Sequence, residues 1–151
     1  MVTIVNGYNV TNAYYVSKDD LSVCILESNH NNGYYATNTL IDTRFIPELQ
    51  NFVWTSGYKP NGFIKPYLSA HINQTNRQVL DRLRIVVQGT TLLLHKFIVM
   101  LETKSNVILK INHIGKICDN RIKNLQWVTQ NDYNTNEVEL DFFLDRQHIF
   151  I

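Results

Sequence analysis

The sequence predicts an α+β fold: a small β-rich N-terminal part followed by a strand–loop–strand–helix unit. Three observations carry this. Strand-length runs rich in β-branched residues, Val2-Thr3-Ile4-Val5 and Leu21 to Leu26, gather at the N-terminus. Apolar residues recur at helical spacing from Arg44 to Trp54 and from His95 to Thr103. A polar loop containing Gly115 separates two further strand-length runs, Val107 to Ile111 and Leu125 to Val128. At 151 residues, 44% hydrophobic and 18% charged, the chain can bury a core as one compact domain or two very small ones. The expected division is a region over 1–90 that would contact DNA or simply pack, a central unit over 91–137, and an apolar tail over 138–151.

Residues 1–35 are rich in Tyr and Asn, and Asn31-Asn32-Gly33 suits a hairpin turn because Asn and Gly tolerate positive φ. The tyrosines read first as core of a small sheet, second as a surface for DNA. Thr39-Leu40-Ile41-Asp42 reads as a strand ending in an N-cap aspartate, with a helix from Arg44 to Trp54 and Pro47 in its first turn. Gly57 to Ala70 holds Pro60, Gly62 and Pro66 and reads as a loop or ragged hairpin. Arg82 to Gln88 and Thr91 to Leu94 flank Gly89 and read as a hairpin. Arg77, Arg82 and Arg84 would contact phosphates there or form a solvated strand face. Thr129 with Asp132 forms a capping-box pattern for a helix from Gln130 onward. The tail, Val138 to Ile151, would dock onto the domain or a second subunit.

The net charge is +1, which is not the footprint of a strongly basic nucleic-acid binder. The charge is uneven, however. Lys96 to Lys123 holds six basic residues against Glu102 and Asp119, a local +4, and Asp132 to Arg146 a local −4. Cys24 and Cys118 are far apart and form no CxxC pair, so no structural zinc is expected. Two scattered cysteines favour a reducing, intracellular setting over a long-range disulfide. The N-terminus lacks a basic region followed by an apolar run, so no signal peptide is expected. No apolar stretch approaches the ~20 residues that span a bilayer.

The stretch Leu92 to Asn134 carries the chemistry. It reads Leu92-Leu93-Leu94-His95-Lys96, then Asn112-His113-Ile114-Gly115-Lys116, then Asp119-Asn120-Arg121 and Asn124-Leu125-Gln126-Trp127-Val128-Thr129. This resembles the HNH (His-Me finger) endonucleases of phages, viruses and mobile introns, homing endonucleases among them, over about a third of the chain. Leu40-Ile41-Asp42 through Trp54 also looks like a segment that precedes the core in some members. The resemblance implies a ββα-metal core and metal-dependent hydrolysis of DNA, by nicking or double-strand cleavage. It also implies an intracellular site of action, in the cytoplasm or nucleus of a host. His113 would be the general base, and Asn112 and Asn134 the protein ligands of Mg2+ or Mn2+. Asn124 would tie the loop to the second strand. His95, Lys96, Lys116 and Arg121 would meet DNA, with His95 read equally as packing. His30, His71 and His148 have no motif support and read as ordinary.

Three features depart from the family pattern. Ile114-Gly115-Lys116 makes the loop after His113 one residue short. Asn134 falls one position late, about 100° round a helix, so Asn131 would serve if the helix starts differently. Both protein ligands are neutral amides. A second reading follows from these departures: an HNH-fold protein without cleavage activity that binds nucleic acid or assembles with itself or a protein partner through the apolar tail.

Overall fold

The computed structural model describes residues 2–5, 12–28, 38–56, 67–105 and 108–129. Among them the fold is α+β, with three small sheets and three helices. No helix there is long and apolar enough to cross a membrane.

The first sheet is an antiparallel meander of β1 (Val2–Val5), β2 (Ala13–Val16), β3 (Val23–Glu27) and β4 (Asn38–Asp42). Alternation decides its two faces. Tyr14, Val16, Cys24, Leu26 and Ile41 are buried, while Tyr15, Ile25 and Leu40 between them are half-buried. Tyr14 therefore packs in the core; Tyr8, Tyr34, Tyr35 and the Asn31-Asn32-Gly33 turn lie outside the described residues. Cys24 and Cys118 are both free thiols.

After β4 the chain makes a 3-10 turn, Thr43–Phe45, and a single helical turn α1 (Ile46–Leu49) with Pro47 in its first positions. The helix expected through Trp54 stops here because its carbonyls are taken. Asn51 Nδ2 donates to the carbonyls of Pro47 and Glu48, at 3.0 and 3.1 Å. The Trp54 indole N–H donates to Leu49 O at 3.0 Å. Asn12 then fixes Trp54, accepting from its backbone N–H at 2.8 Å and donating to its carbonyl at 2.9 Å. Asp42 is not the helix cap the sequence suggests: it makes no side-chain cap bond, and its carboxylate accepts from the Ile122 N–H at 2.8 Å.

The second sheet joins β5 (Thr55–Ser56), β6 (Leu68–His71) and β7 (Thr91–Leu93), all antiparallel; Pro60, Gly62 and Pro66 of the expected loop or ragged hairpin lie outside the described residues. The expected hairpin of Arg82–Gln88 with Thr91–Leu94 does not form. Instead α2 (Gln74–Arg82) ends where its first arm would begin; the helix is started by a reciprocal capping box between Asn73 and Asn76, both bonds 2.8 Å. Residues 83–90 are irregular. The Arg77 guanidinium holds them by donating to the carbonyls of Val87 and Gly89. β7 pairs with β6 because Leu92 is needed in the core beside Ala70.

Helix α3 (Leu94–Thr103) is the centre of the molecule, with Leu94, His95, Phe97, Ile98, Val99 and Met100 all buried. Only a helix covered on most sides can be this apolar. Phe97 meets Phe52 edge-on at 5.1 Å and Trp54 at 6.2 Å. The last sheet is the hairpin of β8 (Ile108–His113) and β9 (Leu125–Thr129), with Asn112 opposite Gln126 and His113 opposite Leu125. One contiguous core runs from Tyr14 to Leu125.

Candidate active site

The site is built where the β8–β9 hairpin meets the edge of the first sheet. The connection between these strands leaves His113 as a polar loop and returns through a 3-10 turn, Ile122–Asn124. β4 grips this loop. Leu40 N donates to Cys118 O at 2.9 Å, and Asn120 N donates to Leu40 O at 2.8 Å, so the loop adds a short parallel bridge to the sheet.

Asn124 closes the loop from the other side. Its Oδ1 accepts from the Gly115 N–H at 2.8 Å, and its Nδ2 donates to the carbonyls of Lys116 and Asp119 at 2.9 and 2.7 Å. Both ends of its amide hold the loop against the residue that precedes β9, the place where the resemblance implies a tie between loop and second strand. The shortened Ile114-Gly115-Lys116 segment still closes because glycine allows the approach: a Cβ at Gly115 would sit 3.0 Å from Asn124 Oδ1.

His113 ends β8 and is buried. Its Nε2 lies 2.7 Å from Asn120 Oδ1. The Asn120 amide is oriented by the next link, because its Nδ2 donates to Thr39 Oγ1 at 2.7 Å. The Thr39 hydroxyl in turn donates to Cys118 O at 2.7 Å. The direction of this chain makes Nε2 the protonated nitrogen of His113 and leaves Nδ1 with the lone pair. Burial pushes the His113 pKa down, against the opposing effects of the Asn120 bond and the Asp119 charge. The imidazole is therefore neutral and proton-accepting at neutral pH, with its accepting nitrogen fixed.

His95 and Tyr67 stack around it. The rings of His95 and His113 are 5.3 Å apart, those of Tyr67 and His95 5.3 Å, and those of Tyr67 and His113 6.3 Å. Burial first, then the neighbouring His113 and Lys96, pull the His95 pKa down to about 3. A histidine that stays uncharged contributes packing rather than a cation for phosphate.

The remaining residues divide by exposure. Lys96 and Lys116 are exposed and available to an anionic partner. Arg121 is not similarly open: its guanidinium grips Asp119 through two bonds of 2.9 and 2.7 Å, with both side chains mostly covered. His71 is exposed and stands apart from these contacts. Asn134, Asn131 and the helix expected from Gln130 lie outside the described residues, as do His30, His148 and the apolar tail.

Among the described residues no three His, Cys, Asp or Glu side chains gather as a metal site. The donors that do occur are amides. Asn112 is buried, and its side chain makes no hydrogen bond to another described residue. Directly opposite, Gln126 Oε1 is buried without a partner. Opposed residues of an antiparallel pair carry their side chains on one face. Two amide oxygens with unspent acceptor capacity suit a hard divalent cation, which prefers oxygen, and supply it no charge.

Sequence reasoning gave no site role to Asn120, Thr39 or Tyr67, and read Asp42 only as a helix cap. Asn120 had a signal, its place in Asp119-Asn120-Arg121. Thr39 and Tyr67 had none, because their roles depend on contacts far along the chain. No family model, no curated protein and no solved structure matches the chain.

Proposed function

We propose that this chain is a metal-dependent endonuclease of the HNH kind that hydrolyses DNA phosphodiester bonds. The observation that supports it most is the relay His113–Asn120–Thr39–Cys118, which fixes one neutral tautomer of a buried histidine beside Asn112.

In this reading His113 Nδ1 takes a proton from water as the water oxygen bonds to phosphorus. The P–O3′ bond breaks, and the leaving oxygen takes a proton from solvent, giving 5′-phosphate and 3′-hydroxyl ends. Asn120 holds the imidazole in register and goes on accepting from its Nε2–H when the ring becomes an imidazolium. Asn124 and Gly115 keep the loop closed behind it. Lys96 and Lys116 attract the backbone. Asn112, with Asn134 as the second ligand that the family resemblance implies, would hold Mg2+ or Mn2+. When bound, the ion would stabilise charge on the phosphate and the leaving oxygen. With neutral amides as ligands, the ion's affinity would depend on the DNA phosphate itself.

The test is nicking of supercoiled plasmid by the purified chain with Mg2+, Mn2+ or EDTA, with the ends mapped by kinase and polymerase. Metal-dependent nicks bearing 5′-phosphate and 3′-hydroxyl are expected. DNA binding without cleavage under any metal would replace this reading with that of a non-catalytic nucleic-acid-binding or assembly protein, which the all-amide ligand set favours.

A further inference from the structure

At the other end of α3 from His95 lies a cleft of about 570 Å³. With a rise of about 1.5 Å per residue, Lys104 stands roughly 13 Å along the helix from His95. Four basic residues line the cleft, Arg44, Arg82, Arg84 and Lys104, against a single acid, Glu48. Arg44 is paired with Glu102 at 2.6 Å, yet the lining keeps an excess of positive charge in a chain whose net charge is only +1. Phe45, Leu83 and Met100 supply apolar walls, and the Arg44 guanidinium lies 4.3 Å over the Phe45 ring.

The backbone points to the same place. α2 ends in a Schellman motif, with Arg84 N bonded to Asp81 O and Ile85 N to Leu80 O, and Arg84 takes φ 58°. α3 ends in the simpler left-handed cap, with Lys104 N bonded to Met100 O and φ 54°. Glycine is the ordinary residue for both positions. Among the described residues these are the two non-glycine residues with positive φ; both are basic, and both line this cleft. Each position carries a long basic side chain where glycine would relieve the backbone, at a helix C-terminus whose dipole also favours a cation.

We infer that this cleft binds a nucleotide unit, a phosphate with its base attached, either as a free mononucleotide or as an unpaired nucleotide of a strand. The guanidinium forks pair with phosphate oxygens, and the guanidinium planes and apolar walls take a flat base. The volume is that of a small-molecule site rather than a flat duplex footprint. The inference does not depend on the role of His113.

Calorimetric titration of the full chain tests it, with AMP, dTMP, a thymidine hexanucleotide, adenosine, inorganic phosphate and a hexaglutamate peptide. The key variant is Arg84→Gly/Lys104→Gly, which removes two charges while giving each cap its preferred residue. Nucleotide binding should weaken roughly tenfold or more in this variant, with the melting temperature unchanged or raised. Should the double variant fold poorly, Arg82→Gln at an exposed helical position must weaken binding in the same direction. Variant-sensitive binding of AMP or dTMP assigns a free nucleotide; variant-sensitive binding of the hexanucleotide alone assigns a strand. The inference is overturned if neither binds in a variant-sensitive way. Phosphate alone binding as tightly as AMP, or the acidic peptide binding more tightly than either, also overturns it.

Discussion

Asn120 shows how much one side chain can decide. Its carbonyl end meets His113 and its amide end meets Thr39, so the same planar group reads the first sheet and sets the imidazole. Asn120→Ala should lower the nicking rate by about a hundredfold, the scale of a misplaced catalytic group. The cost in stability should be about 1–3 kcal/mol, from the buried partners left unpaired. Nitrogen-15 NMR of the imidazoles separates this positioning role from a structural one. A single His113 tautomer protonated at Nε2 is expected in the wild type, and a mixture in the variant. One unchanged tautomer in Asn120→Ala would remove Asn120 from the account. His95 is the contrasting case. Two histidines stand 5.3 Å apart, and the one buried more deeply is the one whose environment holds it uncharged down to about pH 3.

At the scale of elements, what the sequence makes legible follows local periodicity. α3 and the β8–β9 hairpin appear where the helical and strand-length apolar runs are, because each element buries one long run of its own. α2 was invisible for the opposite reason. It buries only Asn76 and Leu80, so its apolar stripe is too thin to register, and it stands on its Asn73–Asn76 capping box. Asn73→Ala should therefore destabilise the protein by about 1 kcal/mol in urea unfolding, with nicking unaffected. The run Arg82 to Gln88 looks like a strand because Ile85, Val86 and Val87 are β-branched, yet Val86 is 73% exposed and no ladder forms. Tertiary hydrogen bonds from Arg77 override that propensity. The single-turn α1 teaches the same lesson: Phe45, Leu49 and Phe52 have helical spacing, and side-chain amides and an indole claim the carbonyls a longer helix would use.

For the whole molecule, the site depends on contacts that no local pattern encodes. Thr39 and Asn120 are separated by 81 residues, and Asp42 and Ile122 by 80. His113, Asn112 and Asn124 could be picked out as candidates because their motif words lie close together in sequence; Thr39 and Tyr67 could not. The core running from Tyr14 to Leu125 makes the first sheet the support of the His113 loop. This coupling has a pH signature. In the folded state the His95 pKa is about 3, below the ordinary 6.5, so the unfolded chain binds the proton more readily. The stabilisation from keeping His95 neutral is complete above pH 6.5 and is lost as pH falls below it. By pH 4.5 the loss should be about 3 kcal/mol, a large share of a typical folding free energy. Urea unfolding at pH 7.0 and 4.5 measures it, with His95→Phe beside the wild type. The variant should be markedly less acid-sensitive; equal sensitivity would place the acid-labile group elsewhere.

The proposed function stands or falls with His113 as the base of a phosphodiester hydrolase. The most direct measurement is the initial rate of plasmid nicking by the wild type and by His113→Ala, at equal DNA occupancy and with matched melting curves. Metal-dependent nicking by the wild type and a loss of about 10²–10⁴-fold in the variant are expected, with DNA binding retained. A variant that nicks within a few-fold of the wild type would contradict it, as would a wild type that binds DNA and leaves it intact with every metal tried.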